Sequence, residues 1–244
     1  MKRILTLGLA FFAAACSLRN VGCGVPDPAA DQSPANAAAA PASAPADPTA
    51  PAAKTFTIVF LGDSLTAGMG LLSQQAFPEL IEQKFGAEGY AAVQALNAGI
   101  SGDTSAGGLR RVEPLLTADV RILVVSLGAN DALRGLSVAQ TRENLAAIIR
   151  TAQSRGISVV LCGMEAPTNY GEDYRAAFRQ VFIRLGLDFK DSIVSIPFLL
   201  EGVAGRPELN QADGIHPNER GSETIAEMLY PRLRTIVDSL GGGG

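Results

Sequence analysis

From Phe56 onward the chain repeats one pattern: a short run rich in Val, Ile or Leu, then a longer segment with apolar residues at helical spacing. Short apolar runs alternating with amphipathic segments are what parallel strands covered by crossover helices require. The runs stand at Phe56 to Leu61, Ala92 to Leu96, Ile122 to Leu127, Ser158 to Cys162 and Ile193 to Ile196. Helices are predicted at Phe77 to Phe85, Ser105 to Leu116, Val138 to Arg155, Tyr174 to Leu185 and Glu219 to Ser239. The fold class is α/β: a three-layer α/β/α sandwich around a five-stranded parallel sheet. The longest internal helix carries the clearest signals, with Ser137 as N-cap, Gly156 as C-cap, and Leu145, Ile148, Ile149 and Ala152 facing the sheet.

The two ends of the chain follow other rules. Lys2 and Arg3, the apolar run Ile4 to Phe12 and the small residues Ala13 to Ala15 predict a signal peptide over residues 1–15, too short to span a bilayer. Cys16 directly after these alanines resembles the lipidated cysteine of bacterial lipoproteins, although Ala13 stands where such boxes usually hold Leu. A plain signal peptide would leave Cys16 incidental. Cys23, with Asn20 three residues before it, is a poorer candidate. Residues 16–54 are dominated by Ala and Pro, and seven prolines from Pro26 to Pro51 oppose helix formation, which predicts a disordered tether. One domain is expected over residues 55–240, followed by a fraying Gly tail at 241–244. A net charge of -4 gives no footprint for nucleic acid. Three cysteines make no disulfide framework, and Cys162, inside an apolar run, is expected to be a buried, inert thiol.

In an open parallel sheet, ligands bind beyond the carboxyl ends of the strands. Four blocks there are unusual. Strand one runs into Gly62-Asp63-Ser64-Leu65-Thr66, strand two into Gly99-Ile100-Ser101-Gly102-Asp103-Thr104, and strand three into Gly128-Ala129-Asn130-Asp131. The fourth block, Asp213-Gly214-Ile215-His216-Pro217-Asn218, precedes the last helix. Ser64 follows a strand and precedes a helix turn, where its hydroxyl and its N–H can both face the crevice. Taken alone, that block serves equally well as a Ser N-cap. Thr66 stands where an α/β-hydrolase elbow has its second Gly, which favours a flavodoxin-like sheet. His216 is the only histidine, so a serine activated by imidazole has no other partner. Asp213, three residues earlier in the same turn, can orient that imidazole or simply close an Asx-turn; Asp103 and Asp131 are competing carboxylates.

These four blocks, in this order over roughly residues 56–230, resemble the SGNH/GDSL hydrolase superfamily, and within it the bacterial periplasmic arylesterase, acyl thioesterase and lysophospholipase group. The resemblance implies a catalytic Ser64, Asp213 and His216. It also implies an oxyanion hole of the Ser64 N–H, the Gly102 N–H and the Asn130 side-chain amide. On the bland reading, Gly102 is a turn glycine and Asn130 a helix cap. The implied reaction is hydrolysis of acyl esters through an acyl-enzyme, with aryl esters, thioesters and lysophospholipids as substrate classes and a carbohydrate O-acetylesterase as the alternative. A catalytically silent binding module tethered to the surface is the alternative from another class. Leu133, Leu136, Met164, Pro167 and Tyr170 are candidates to line an apolar channel or to pack the interior. The sequence has no Cys/His cluster at metal-ligand spacing, no Walker loop and no dinucleotide fingerprint, so no cofactor is expected. The expected location is the periplasm or cell envelope, at a membrane through the lipid on Cys16.

Overall fold

The computed structural model describes residues 56–242. The predicted signal peptide, Cys16, Cys23, the Ala/Pro-rich segment and the last two glycines lie outside the described residues. The sheet comprises β1 (Phe56–Gly62), β2 (Val93–Gly99), β3 (Val120–Ser126), β4 (Ser158–Cys162) and β5 (Ile193–Ile196). Its order is β2-β1-β3-β4-β5, and every neighbouring pair is parallel. The helices are α1 (Ser64–Ala67), α2 (Phe77–Ala87), α3 (Ser105–Leu115), α4 (Ala129–Leu133), α5 (Val138–Gln153), α6 (Gly171–Asp188) and α7 (Glu219–Ser239).

The connection from β1 to β2 runs one way across the sheet and the later ones run the other way. Right-handed crossovers then place helices on both faces. α2 packs on α7, while α3 packs on α5 and α5 on α6. β1 is buried along its whole length, and so is almost all of β3, as strands with a helical layer on each side must be. Phe60, Phe77, Phe85 and Phe178 are the largest fully buried side chains.

The expected elements are present, with shifted ends. β2 begins one residue late and continues to Gly99, because Asn97, Ala98 and Gly99 pair with Phe60, Leu61 and Gly62. That extension is backbone pairing in a polar stretch, which no apolar pattern announces. α6 gains three residues at each end relative to the expected span. In α5 the Ser137 hydroxyl accepts from the Gln140 N–H as predicted, and Leu145, Ile148, Ile149 and Ala152 are fully buried. The C-cap is Ser154, not Gly156; the glycine sits two residues further, at φ 71, after the helix has ended. Cys162 is buried, and burial pushes its thiol up to about 12.

Candidate active site

The strand order reverses between β1 and β3, and the crevice of such a sheet opens at that point. Gly62, the last residue of β1, pairs with Gly99 on one side and Ser126 on the other, so three strand ends finish level. α1 lies directly over them. A Cβ on Gly62 would come within 1.9 Å of Thr66 Oγ1, and one on Gly99 within 2.2 Å of the Ala67 backbone nitrogen. Only glycine lets the turn seat this low. The N-cap of α1 is Asp63, whose Oδ1 accepts from the Leu65 N–H at 3.0 Å. Ser64 is therefore the first helical residue and not the cap, and its backbone N–H has no partner further back in the helix.

His216 Nε2 lies 2.9 Å from Ser64 Oγ, and His216 Nδ1 lies 2.6 Å from Asp213 Oδ2. The other oxygen of Asp213 accepts the backbone N–H groups of Ile215 at 2.9 Å and His216 at 3.0 Å. Both roles weighed for Asp213 thus coexist, one on each oxygen. The hydrogen bond to the His216 ring, backed by these two N–H groups, holds the Asp213 carboxyl down at about 2. An acceptor ionised across the working range keeps an N–H on Nδ1 and leaves Nε2 free to take the serine proton.

Neither competing carboxylate is spare. Asp103 accepts from Arg111 Nε at 2.7 Å, and the same guanidinium donates to the carbonyls of Ala98 and Gly62. Asp131 is buried and accepts from the Ser105 N–H, the Ser105 hydroxyl and the Thr141 hydroxyl. Each pins the strand-end loops from below.

Gly102 has φ 81, a left-handed conformation that favours glycine, as a turn glycine does. Its carbonyl accepts from Arg134 Nη2 at 2.7 Å, which ties the loop after β2 to the loop after β3. Asn130 lies in the first turn of α4 and donates from Nδ2 to Asp63 Oδ2 at 3.1 Å. Sequence reasoning missed Arg134. It also missed Gln211, whose Nε2 donates to the Met69 carbonyl at 2.6 Å and the Pro217 carbonyl at 2.9 Å. The Gln211 N–H further donates to the His216 carbonyl at 2.8 Å, so this residue couples the histidine turn to the loop after α1. No local pattern marks a residue whose bonds reach across the fold.

Met69, Leu72, Ile100 and Leu136 are exposed on the segments that follow β1, β2 and β3, as are Leu133 at the end of α4 and Ile215 beside His216. Of the proposed channel residues, Leu133, Leu136 and Tyr170 are exposed and Pro167 is half-buried, whereas Met164 is buried and belongs to the core. The Tyr170 hydroxyl donates to the Leu133 carbonyl at 2.7 Å, joining the loops after β3 and β4. A recess lined by Ser64, His216, Leu65, Met69 and Leu71 encloses only about 10 Å³, so it has no room for an acyl chain.

Residues 60–224 match the model of the GDSL-like Lipase/Acylhydrolase family. The chain is 41% identical over 182 residues to Esterase TesA of Pseudomonas aeruginosa, covering 74% of this chain and 89% of that one. It is 35% identical over 188 residues to Thioesterase 1/protease 1/lysophospholipase L1 of Escherichia coli K12, covering 77% and 88%. Among solved structures it resembles AlinE4, an SGNH-hydrolase family esterase, at 36% identity and a TM-score of 0.61, covering 75% of this chain and 97% of that one.

Proposed function

The chain belongs to the GDSL-like lipase/acylhydrolase family, and from that premise we propose how its site works. It is a GDSL serine esterase, a hydrolase of carboxylic esters. In our reading Ser64 Oγ attacks the acyl carbonyl while His216 Nε2 accepts its proton. Asp213 holds the imidazole in one tautomer and stabilises the imidazolium that forms. The oxyanion is met by the N–H groups of Ser64 and Gly102 and by the Asn130 amide. His216 then gives its proton to the leaving group and activates the water that frees the acyl-enzyme. The observation that carries this reading is the continuous chain from Ser64 Oγ through His216 to Asp213, at 2.9 and 2.6 Å.

The substrates are aryl esters, acyl thioesters or lysophospholipids, with the acyl chain lying along the exposed Leu133, Leu136 and Tyr170. The apolar rim favours these over a sugar O-acetyl group. Residues 1–15 act as an export signal, residues 16–54 as a tether and residues 55–240 as the hydrolase domain, with Cys16 carrying lipid at the cell envelope.

Purified protein should hydrolyse p-nitrophenyl esters from acetate to octanoate. Rates that hold or rise with chain length support the reading, and activity confined to acetate selects the O-acetylesterase. A Ser64→Ala variant as active as the parent would sink the whole account. Separately, Cys16→Ser should move the protein from the membrane to the soluble fraction; an unchanged partition removes the lipid anchor.

A further inference from the structure

We propose that Asp63 is the positioning residue of the oxyanion hole, holding with its two carboxylate oxygens the turn that aims the Ser64 N–H and the side-chain amide of Asn130. The inference depends on the reading of Ser64 and Asn130 as oxyanion donors, and adds what sets their direction. Asp63 is fully buried where β1 meets α1. Its Oδ1 accepts the Leu65 N–H at 3.0 Å, closing the first turn of α1; its Oδ2 accepts Asn130 Nδ2–H at 3.1 Å. An ionised carboxylate has no hydrogen to offer, so the part of Asn130 that faces it must be the NH2 group and not the carbonyl.

That constraint decides which way up the amide sits. A primary amide carries two N–H bonds about 120° apart, and with one spent on Asp63 the other is left for the crevice. It has no partner among the described residues. Turned over, the amide would present its carbonyl oxygen to the oxyanion, and two negative ends would meet.

A helix cap alone does not account for a buried carboxylate. Asn or Ser would cap α1 as well without the cost of removing a charge from water. That cost is visible: burial pushes the Asp63 carboxyl up to about 6, against the pull of its Leu65 and Asn130 hydrogen bonds. His216 favours the charged form and Asp103 opposes it, while Arg111 caps the neighbouring Gly62 carbonyl. Once protonated, Asp63 no longer dictates the orientation of Asn130.

Asp63→Asn tests the idea, because an amide at position 63 keeps a cap acceptor but has one oxygen for two N–H donors. The readout is kcat and KM on p-nitrophenyl butyrate for D63N, N130A and the double variant. D63N and N130A should each lower kcat about a hundredfold, with KM within about twofold, and the double variant should fall no further than N130A. D63N should unfold at pH 7 at a temperature no lower than the parent. Losses that multiply to about ten-thousandfold in the double variant overturn the proposal, as does a parental kcat in D63N or a kcat loss matched by a fall in melting temperature. A parental kcat in N130A instead removes the donor role of Asn130, and with it the premise.

Discussion

Ser64 and His216 meet across a hydrogen bond, but their segments are held in place by opposite means. Every residue from Phe56 to Asp63 is buried, so Ser64 directly follows a segment enclosed along its whole length. Ala212, Asp213, Gly214 and Ile215 are all exposed, and the histidine turn hangs on the bonds of Gln211, Asp213 and the Asn210–Pro217 bridge. Core packing positions one partner, and polar ties that water can replace position the other. The two carboxylates repeat the contrast: burial raises Asp63 to about 6, while hydrogen bonds in the open lower Asp213 to about 2.

The largest effect should come from cutting the link between the regions. Ser64→Ala and His216→Ala should each lower kcat on the order of a millionfold, and the double variant no further, because the two act as one unit. Single-turnover assays with p-nitrophenyl butyrate check this, and multiplying losses would mean that the regions contribute separately.

Asp213→Asn sharpens the comparison. Asn keeps an oxygen for the Ile215 and His216 N–H groups, so the turn survives, but its amide cannot hold the imidazolium; kcat should fall on the order of ten-thousandfold. Melting curves against pH should separate the two carboxylates by sign. Asp213, lowered from 3.8 to about 2, adds stability above pH 3.8 that is lost as pH falls toward 2, and D213N should lack that acid loss. Asp63, raised from 3.8 to about 6, binds its proton more tightly when folded, so its contribution falls as pH rises across that interval. The cost at neutral pH is about 3 kcal/mol, and D63N should flatten that slope. Parallel slopes in the two variants would contradict the assigned environments.

The smallest effect is expected at Gln211→Ala. Removing the Met69 and Pro217 bonds should cost about tenfold in kcat, the worth of one or two hydrogen bonds, and speed amide exchange at Ile215 and His216 with little change in melting temperature. An unchanged exchange rate would show that the turn is held by packing after all.

Much of this contrast was legible in the sequence. Strand ends at Cys162 and Ile196, and both ends of α7, fall where the apolar pattern places them. The blocks at Ser64, Gly102, Asn130 and His216 stand out because glycine, asparagine and a lone histidine are conspicuous after apolar runs. Asp63 was legible as a residue but not as a role: nothing local says that its second oxygen reaches a side chain 67 positions away. Gln211 and Arg134 were invisible for the same reason, since their partners are backbone carbonyls that carry no sequence signature. β2 runs past Leu96 because its pairing is set by β1 and not by its own polarity.

The proposed base stands at position 216, between β5 and the final helix α7, whose N-cap Asn218 fixes the exit of its turn. On the proposed roles, a chain emerging from the ribosome therefore carries Ser64, Gly102 and Asn130 long before it carries His216. On the same roles, hydrolysis waits until the turn before α7 has folded, and so begins in the compartment where the end of the chain folds.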